Sequence, residues 1–419
     1  MAQLILSDRA ARIGLAPNAA AKARAQALAA SGREIVELTS GEPDFDTPDW
    51  IKQAAYAALV AGETKYTAQA GTLDLRNAIS EKLARESELA YPASQIIACS
   101  GGKHVIYNAL AATLRSGDEV IVPAPYWQSF PAMVSVNDGT PVTVPGVREE
   151  GYKLTPEQLE KALTPRTRWL ILNTPANPSG AVYTADELAA LADVLRRHPH
   201  VWLLLDEIYE PIRFDDGDRV HLLKIAPDLS DRTLIVNGAS KPFAMTGWRI
   251  GYGAGPAELI RAMTVVQSQS TSAPSSIAQA ALAAGLRGDQ SFVREAVASY
   301  RERRDLLLDA LRDIDGLQCV APQGAFFALV DCSALLGAAT ASGQRLLSDI
   351  DVVDYLLFEH GLAVVDGTSF GLPGHFRVSI VAERRAIEEG VRRLAAAVAA
   401  LTRDAATPEP ARIPTVEAA

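Results

Sequence analysis

The chain has 419 residues, a formal net charge of −10 and 48% hydrophobic residues. This length is typical of two domains, and the composition is that of a globular protein rather than a disordered one. The acidic balance gives no electrostatic reason to expect binding to nucleic acid or to an anionic membrane surface.

The N-terminal region predicts two helices that are separated by a turn-rich loop. The first helix covers residues 19–30, and the loop covers residues 40–48 (SGEPDFDTP), where Gly, Pro and Asp are frequent. The second helix is expected to begin near Asp49, with Thr47 as its cap and Pro48 at an early position.

The middle of the chain alternates between short apolar runs and longer stretches with helical periodicity. Runs rich in Ile, Val and Leu that show no polar alternation are typical of parallel strands buried on both faces. A helical stretch such as residues 185–197 fits between two of these runs. The predicted strands are residues 95–99, 119–122, 168–172, 201–205, 233–236 and 249–253.

The C-terminal part of the chain predicts a smaller α/β unit. Helices are expected at residues 293–311 and 383–401, with weaker strands at 324–330, 363–365 and 376–380 between them. We therefore predict residues 1–48 as an N-terminal arm and part of the small domain, 49–290 as the large domain, and 291–403 as the small C-terminal domain. The Pro- and Ala-rich residues 404–419 lack periodicity and are expected to form a disordered tail.

Polar and aromatic residues follow the predicted strands of the middle region at the points where these strands end. In an open parallel sheet, ligands bind beyond the carboxyl ends of the strands. The candidates for one binding site are Gly101, Gly102 and Lys103 after the first strand, Trp127 after the second, Asn177 after the third, Asp206 and Tyr209 after the fourth, and Ser240 and Lys241 after the fifth.

Each of these residues has a simpler interpretation when it is considered alone. Gly101 and Gly102 suit an ordinary turn, Asp206 suits a helix cap, and a lysine such as Lys241 is normally a solvated side chain. Together they suit one chemistry, in which a lysine forms a Schiff base with an aldehyde cofactor. A carboxylate then pairs with the pyridinium nitrogen of the cofactor, an aromatic side chain stacks on the ring, and amides at a helix N-terminus bind the phosphate.

Several longer motifs, taken in their order along the chain, resemble one known family. SKPFAMTGWRIGYGAGP at residues 240–256 resembles the lysine motif of the class I, fold-type I aminotransferases, which depend on pyridoxal 5'-phosphate. SGEPDFDTP, TKYTAQAG, PAPYW, NPSG, LLDEIY and FRVS match as well, so that the resemblance covers roughly residues 10 to 400. Within the family, the chain resembles the gamma subgroup of bacterial aspartate aminotransferases.

The resemblance implies a fold and a reaction. The fold is an α/β large domain, in which helices cover a mostly parallel seven-stranded sheet, plus a smaller α/β domain built from both chain ends. The reaction moves the amino group of an L-amino acid, aspartate or glutamate, to a 2-oxo acid such as 2-oxoglutarate or oxaloacetate by a ping-pong mechanism. The partners are therefore small amino acids and 2-oxo acids, and closure of the smaller domain is expected to exclude water from the site.

The resemblance also implies a role for each candidate residue. Lys241 is the Schiff-base lysine and the proton carrier, and Asp206 pairs with the ring nitrogen. The resemblance implies that the remaining residues contact the cofactor or the substrate: Asn177 and Tyr209 bond the phenolic oxygen, Trp127 stacks on the ring, Gly101, Gly102, Lys103, Ser240 and Arg249 surround the phosphate, Gly41 lies against the substrate with its backbone, and Arg377 clamps the α-carboxylate of the substrate. Tyr66 is expected to reach the phosphate of a partner subunit, which implies a homodimer with shared active sites.

Two positions bear on substrate preference. Lys103 either helps to bind the distal carboxylate of a dicarboxylic substrate, as the resemblance implies for some relatives, or lies on the phosphate side or the surface. Asn18 stands where many relatives have a threonine near the distal carboxylate, and its amide can still donate to a carboxylate. An aromatic or broad-specificity aminotransferase is the alternative within the same reaction.

Other chemistries find less support in the sequence. The same fold and cofactor also serve lyases and cyclopropane-forming synthases, and aminotransferase-like regulators carry an added DNA-binding domain; here about 40 residues precede SGEPDFDTP, without a basic helix-turn-helix pattern. The six histidines lack metal-ligand spacing, and three distant cysteines predict neither a disulfide framework nor a zinc site. With no secretory signal and no apolar run of the roughly 20 residues that a membrane helix needs, we expect a cytoplasmic protein.

Overall fold

A seven-stranded sheet and a smaller four-stranded sheet organise the chain. The computed structural model describes residues 6–15, 17–215 and 220–402. Within these ranges the strands are β1 (Val36–Glu37), β2 (Ile96–Cys99), β3 (Glu119–Ala124), β4 (Thr140–Pro145), β5 (Thr167–Asn173), β6 (Trp202–Asp206), β7 (Thr233–Gly238), β8 (Gly251–Ala254), β9 (Gln318–Cys319), β10 (Phe327–Asp331), β11 (Leu362–Ala363), β12 (Val365–Asp366) and β13 (His375–Ser379).

The α-helices cover the sheets and connect their strands. In chain order they are α1 (Asp8–Ala11), α2 (Pro17–Ala30), α3 (Asp49–Val60), α4 (Leu73–Ser87), α5 (Gly102–Thr113), α6 (Ser129–Val136), α7 (Pro156–Ala162), α8 (Ala185–Arg197), α9 (Leu222–Ile225), α10 (Ala257–Ser268), α11 (Ser276–Arg287), α12 (Ser291–Leu311), α13 (Asp349–His360) and α14 (Arg384–Ala399). None of the helices described here is both long and apolar enough to cross a bilayer.

The large sheet has the strand order β2-β8-β7-β6-β5-β3-β4. β8 pairs antiparallel with β2 and β7, whereas the neighbours from β7 to β4 pair in parallel. The prediction of a mostly parallel seven-stranded α/β sheet is therefore confirmed. Because β2, β3, β5, β6 and β7 run in one direction, their carboxyl ends meet at one edge of the sheet.

The central strands are apolar on both faces because both faces are covered. Leu203 and Leu205 of β6 pack in one hydrophobic cluster, while Leu204 between them packs in another cluster on the opposite face. Helix α8 covers the first face, and it begins at a capping box in which the Thr184 and Glu187 side chains bond each other's backbone N–H. The apolar run at β6 thus reflects burial between two helical layers.

The smaller sheet has the order β12-β13-β10-β9, and all its pairs are antiparallel. Beside it, Val36 of β1 pairs in parallel with Leu362 of β11, so a segment from the N-terminal part joins the C-terminal part. Their apolar side chains share a third cluster, which includes Leu38, Phe326 and Leu394. The domain limits 1–48, 49–290 and 291–403 stay predictions, and the predicted tail 404–419 lies outside the described residues.

Three local expectations are corrected by the structure. β4 was not predicted, because its sequence TPVTVP carries two prolines, which are tolerated at this edge of the sheet. Thr47 does not cap α3: Pro48 is the capping residue, and the Thr47 hydroxyl donates to Ala244 O at 2.8 Å and accepts from Trp248 Nε1 at 3.0 Å. The strand predicted at residue 249 begins at Gly251.

Candidate active site

A pocket of about 250 Å³ lies beyond the carboxyl ends of the large sheet. It gathers side chains from loops after the strands, together with Gly41 from the N-terminal loop and Arg377 from β13. The predicted residues that line it are Gly41, Gly102, Lys103, Trp127, Asn177, Asp206, Tyr209, Ser240, Lys241, Arg249 and Arg377. Residues far apart in the sequence therefore surround one small cavity, as the position of the strand ends predicts.

Lys241 follows β7 and points its amine toward the N-terminal loop. Its Nζ donates to the carbonyl oxygen of Gly41 at 2.5 Å. Burial removes the amine of Lys241 from bulk water and lowers its pKa to about 8. The charge of Glu42 opposes this shift, whereas the charge of Arg377 adds to it. About a tenth of this lysine is consequently neutral, and nucleophilic, at pH 7, far more than for a lysine in water.

Asp206 ends β6 and is buried, with 5% of its surface exposed. Its Oδ1 accepts from the backbone N–H of Ile208 at 3.2 Å, which fixes the direction of the carboxylate. Burial raises the pKa of Asp206 to about 7. A buried carboxylate in this state favours a cationic hydrogen-bond donor that enters the pocket, because such a donor would compensate the lost hydration.

Asn177 and Tyr209 lie on the same side of the pocket as Arg377. Asn177 Oδ1 accepts from Arg377 Nη1 at 3.1 Å, so the amide NH₂ of Asn177 is turned away from the guanidinium and can donate elsewhere. Asn173 at the end of β5 holds this loop, since its Oδ1 accepts from Asn177 N at 2.9 Å and its Nδ2 donates to Asp206 O at 2.9 Å. Burial raises the pKa of Tyr209 above its usual value, which keeps its hydroxyl a neutral donor.

Arg377 is almost wholly buried, with 1% of its surface exposed. Its guanidinium lies 4.3 Å from the ring centre of Phe327, and Nη2 donates to Thr39 O at 2.6 Å. Burial lowers the pKa of Arg377 to about 10. Its Nε has no hydrogen-bond partner among the described residues, and none of the ion pairs found there includes this side chain. A buried guanidinium in this state is suited to receive a carboxylate from a ligand.

The start of α5 and Arg249 form a cradle of backbone N–H groups and positive charge. Gly101 has φ +91°, and a Cβ there would lie 2.6 Å from Arg249 Nη2. A Cβ on Gly251 would lie 2.5 Å from the backbone nitrogen of Gly102. Glycine is therefore required for this close approach, which brings a guanidinium to a helix N-terminus and is suited to bind a phosphate.

Trp127 and Lys103 form the wall next to this cradle. Lys103 Nζ lies 4.8 Å from the centre of the Trp127 ring, and Trp127 packs edge-on against Phe130 at 5.3 Å between ring centres. Burial and the nearby charge of Arg249 lower the pKa of Lys103. The ammonium group of Lys103 thus lines the pocket beside the predicted phosphate cradle.

Three predicted site residues are not found in the lining of this pocket. Gly101 lies next to Arg249 but does not itself line the pocket. Tyr66 is 96% exposed and does not line it, and the side chain of Asn18 lies outside the described residues. The structure also adds Asn173, Ile208 and Thr246 to the lining. Asn173 had a signal in the sequence because it follows a strand, whereas Ile208 and Thr246 had none, since their residue types carry no distinctive chemistry.

The comparison with protein families agrees with this geometry. Residues 33–394 match the family model described as aminotransferase class I and II. The chain belongs to this family. The aminotransferase is 50% identical to the aspartate/prephenate aminotransferase of Cereibacter sphaeroides over 397 residues, which are 95% of this chain and 99% of the relative.

Solved structures support the same assignment. The aspartate aminotransferase of Rhizobium meliloti has a TM-score of 0.93 at 48% identity, with 96% of this aminotransferase and 100% of the relative covered. The aspartate aminotransferase of Thermus thermophilus, solved with maleate, has a TM-score of 0.88 at 41% identity, with 94% and 100% covered. The predicted family and the fold-type I architecture are thereby confirmed.

Proposed function

We propose that this aminotransferase uses pyridoxal 5'-phosphate to move the amino group of aspartate or glutamate to a 2-oxo acid such as 2-oxoglutarate or oxaloacetate, in a ping-pong reaction. The observation that carries the proposal is the convergence of the Lys241 amine, the Asp206 carboxylate and the Arg377 guanidinium on one pocket. These three groups are the minimum for holding an aldehyde cofactor, making its ring cationic and binding a carboxylate substrate.

The residues of the pocket fit this cofactor. Asp206 is a buried carboxylate suited to a ring N–H, and the approach of Arg249 to Gly101 forms a cradle that a Cβ would fill. When bound, pyridoxal phosphate supplies an aldehyde that captures amines and a cationic ring that withdraws electrons from the substrate carbon. The NH₂ group of Asn177 and the hydroxyl of Tyr209 are the donors available to the phenolic oxygen, and Trp127 offers a flat face to the ring.

Lys241 is proposed to act first as a nucleophile and then as an acid and base. Its lowered pKa, about 8, allows the neutral amine to attack an aldehyde and later to accept a proton from the substrate Cα. The carbonyl oxygen of Gly41, 2.5 Å from Nζ, accepts a hydrogen bond from the amine and so orients it. An efficient acid–base group needs a pKa near the working pH, which loss of hydration supplies here.

Arg377 is proposed to orient the substrate through its α-carboxylate. The planar guanidinium can make two parallel hydrogen bonds with a carboxylate, and Asn177, Thr39 and Phe327 hold it in place. This contact fixes the Cα of the substrate relative to Lys241, which accelerates proton transfer by removing orientational freedom.

The preference for a dicarboxylic substrate is supported by the relatives and by the charge of the pocket. Two of the compared relatives are named aspartate aminotransferase, and one of these was solved with maleate. Lys103 supplies a further cation in the pocket lining and is proposed to meet the distal carboxylate. A relative named aspartate/prephenate aminotransferase keeps an aromatic or broad-specificity enzyme as the second candidate.

We further propose a homodimer in which Tyr66 reaches the phosphate site of the partner subunit. Tyr66 is 96% exposed and lies outside the pocket of its own chain. Large apolar side chains nearby in the sequence, Tyr56 and Val60, are also exposed, at 67% and 69%. A subunit interface would cover such surface, which is unusual on a monomer when it is contiguous.

A cytoplasmic location is proposed as well, in keeping with the three free cysteines.

The decisive experiment follows the visible absorbance of the purified protein after incubation with pyridoxal phosphate. We expect a coloured protein whose band is converted by aspartate and glutamate but weakly by tyrosine and phenylalanine. Equal conversion by the aromatic amino acids would favour the second candidate. A colourless protein, or borohydride labelling at a residue other than Lys241, would contradict the proposed chemistry. Release of 2-oxo acid over many turnovers without an acceptor would indicate a lyase, because a transaminase without an acceptor stops after one equivalent per site.

A second measurement separates the two roles of Lys103. If Lys103 binds the distal carboxylate, Lys103→Met should raise KM for aspartate and leave the affinity for pyridoxal phosphate unchanged. If Lys103 instead binds the phosphate, the same variant should lose cofactor affinity, and KM for aspartate should not change selectively.

A further inference from the structure

The turn that follows β6 has a second side, which faces away from the pocket. Asp206, Ile208 and Tyr209 line the pocket, whereas Glu207 and Glu210 line a separate small cavity behind it. There Glu207 pairs with His221, with 3.1 Å between Oε1 and Nε2. The same short turn therefore carries proposed catalytic groups on one side and buried charges on the other.

Glu210 connects this turn to two other elements. Its Oε2 accepts from Lys82 Nζ of α4 at 2.7 Å and from Asn237 Nδ2 of β7 at 3.1 Å. Asn237 in turn accepts from the backbone N–H of Gly238 at 2.7 Å, and the chain runs from there directly to Lys241. One carboxylate thus ties the turn of Asp206 to the segment of Lys241 from behind the pocket.

The connection is buried and charged. Lys82 is 8% exposed and Asn237 is 3% exposed. Burial lowers the pKa of Lys82, but Glu210, with smaller contributions from Tyr252 and Glu86, reverses this effect, and together these groups hold the pKa well above its usual value. Buried ion pairs add little net stability compared with apolar packing, because desolvation offsets their attraction. Added stability therefore does not explain why Lys82 and Glu210 pair here. A fixed position of the turn relative to α4 and β7 does explain it.

We propose that Glu210, held by Lys82 and bonded to Asn237, is a positioning residue that sets the turn carrying Asp206 and Tyr209 against the segment carrying Lys241. The inference rests on the proposed function, since it concerns how these groups converge on one cofactor. Asp206 ends β6 and Lys241 follows the neighbouring strand β7, so a small sliding of the β6 turn relative to the end of β7 changes the distance between carboxylate and amine. Misplacement of a catalytic group by about 1 Å can cost about a hundredfold in rate.

The test compares Glu210→Leu and Glu210→Gln with the matched control Glu86→Gln. Glu86 also pairs with Lys82, at 2.8 Å, and lines the same small cavity, but among the described residues no hydrogen bond or ion pair joins it to the turn or to β7. For each variant, five quantities are measured: the affinity of the apoenzyme for pyridoxal phosphate, the apparent pKa of the visible band of the holoenzyme, kcat, KM for the 2-oxo acid, and the melting temperature.

For Glu210→Leu we expect kcat to fall about 10- to 100-fold. KM should change little, because the proposed substrate clamp Arg377 bonds Asn177 and Thr39 and none of the residues that Glu210 joins. The apparent pKa of the visible band should rise and cofactor affinity should fall, because a displaced Asp206 stabilises the ring cation less. Glu210→Gln keeps an acceptor for Asn237 and should show a several-fold loss of kcat with a band shift in the same direction. Glu86→Gln should match the wild type in all of these quantities except the melting temperature.

A purely structural role gives a different outcome. If the Glu210 variants change only the melting temperature, with wild-type kcat and band pKa, the inference is wrong. If Glu210→Leu does not fold, the comparison of Glu210→Gln with Glu86→Gln decides in the same way. A wild-type protein that neither binds pyridoxal phosphate nor transaminates would instead contradict the proposed function itself.

Discussion

Replacement of Arg377 by lysine tests the proposed carboxylate clamp. Arg377 is 1% exposed, its two terminal nitrogens already bond Asn177 Oδ1 at 3.1 Å and Thr39 O at 2.6 Å, and its Nε has no partner among the described residues. A lysine keeps the positive charge but can offer the substrate carboxylate one point contact instead of two. The difference is one charge-assisted hydrogen bond, about 1.5–3 kcal/mol.

This energy corresponds to a loss in kcat/KM of about 10- to 150-fold. Because the carboxylate is bound in the ground state as well as in the transition state, most of the loss should be seen in KM. Steady-state kinetics with aspartate and 2-oxoglutarate measure both constants, and melting temperatures check the fold. Arg393→Lys is the matched control: this arginine of α14 also bonds backbone carbonyls, those of Glu34 and Gly361, but lies outside the pocket.

The reasoning would be refuted if Arg377→Lys kept the wild-type KM, or if Arg393→Lys raised KM equally. A third comparison uses a primary amine that lacks a carboxylate. Wild type and Arg377→Lys should process such an amine at the same low rate, because the clamp has nothing to bind. A large difference between the two proteins with this amine would show that Arg377 acts in another way.

Other predictions follow from the same site. The rate at which the apoenzyme takes up pyridoxal phosphate should rise with pH through an apparent pKa of about 8, because only the neutral amine of Lys241 reacts and loss of hydration lowers its pKa to that value. Stopped-flow absorbance measures this rate, and a rise centred above pH 10 would contradict the prediction. Gly101→Ala should weaken binding of pyridoxal phosphate and of inorganic phosphate by about tenfold, because the backbone has φ +91° there and a Cβ 2.6 Å from Arg249 Nη2 would displace the guanidinium. Isothermal titration measures both affinities, and unchanged values would exclude the cradle as a phosphate site. Mixed dimers of Tyr66→Phe and Lys241→Ala chains should regain activity that neither parent has in full, whereas no recovery after verified subunit exchange would argue against a shared site. Thr184→Ala should cost about 1 kcal/mol of unfolding free energy in urea without changing kcat, because it removes the capping box of α8 but no pocket residue.

Much of the fold could be predicted because its signals are local. A run such as WLLLD at β6 is apolar on both faces, and this pattern indicates a strand between two layers whatever its neighbours are. The edge strand β4 could not be predicted in this way, because TPVTVP carries two prolines and its pairing depends on β3 beside it. The prediction that Thr47 caps α3 is wrong for a similar reason: its hydroxyl bonds Ala244 and Trp248, which are distant in the sequence, instead of the N-terminus of the helix.

The candidate site was predictable to the extent that the sheet rule applies. Asp206 and Lys241 follow buried strands, so their convergence follows from parallel strand direction alone. Arg377 had to be assigned by resemblance, since it lies within a strand of a different sheet. Thr246 and Ile208 gave no signal, because such residues line a pocket through backbone position rather than through distinctive chemistry.

The amino-acid sequence by itself determined the family, the alternation of strands and helices, and the groups available for chemistry: an amine, a carboxylate, a guanidinium and a glycine-rich turn. The tertiary structure decided which of these groups meet and in what state. Lys241 reaches Gly41, Arg377 reaches Asn177, and Glu210 reaches both Lys82 and Asn237. These contacts join segments far apart in the chain, and the lowered pKa of Lys241 depends on the water that their packing excludes, so no local pattern of residues can specify them.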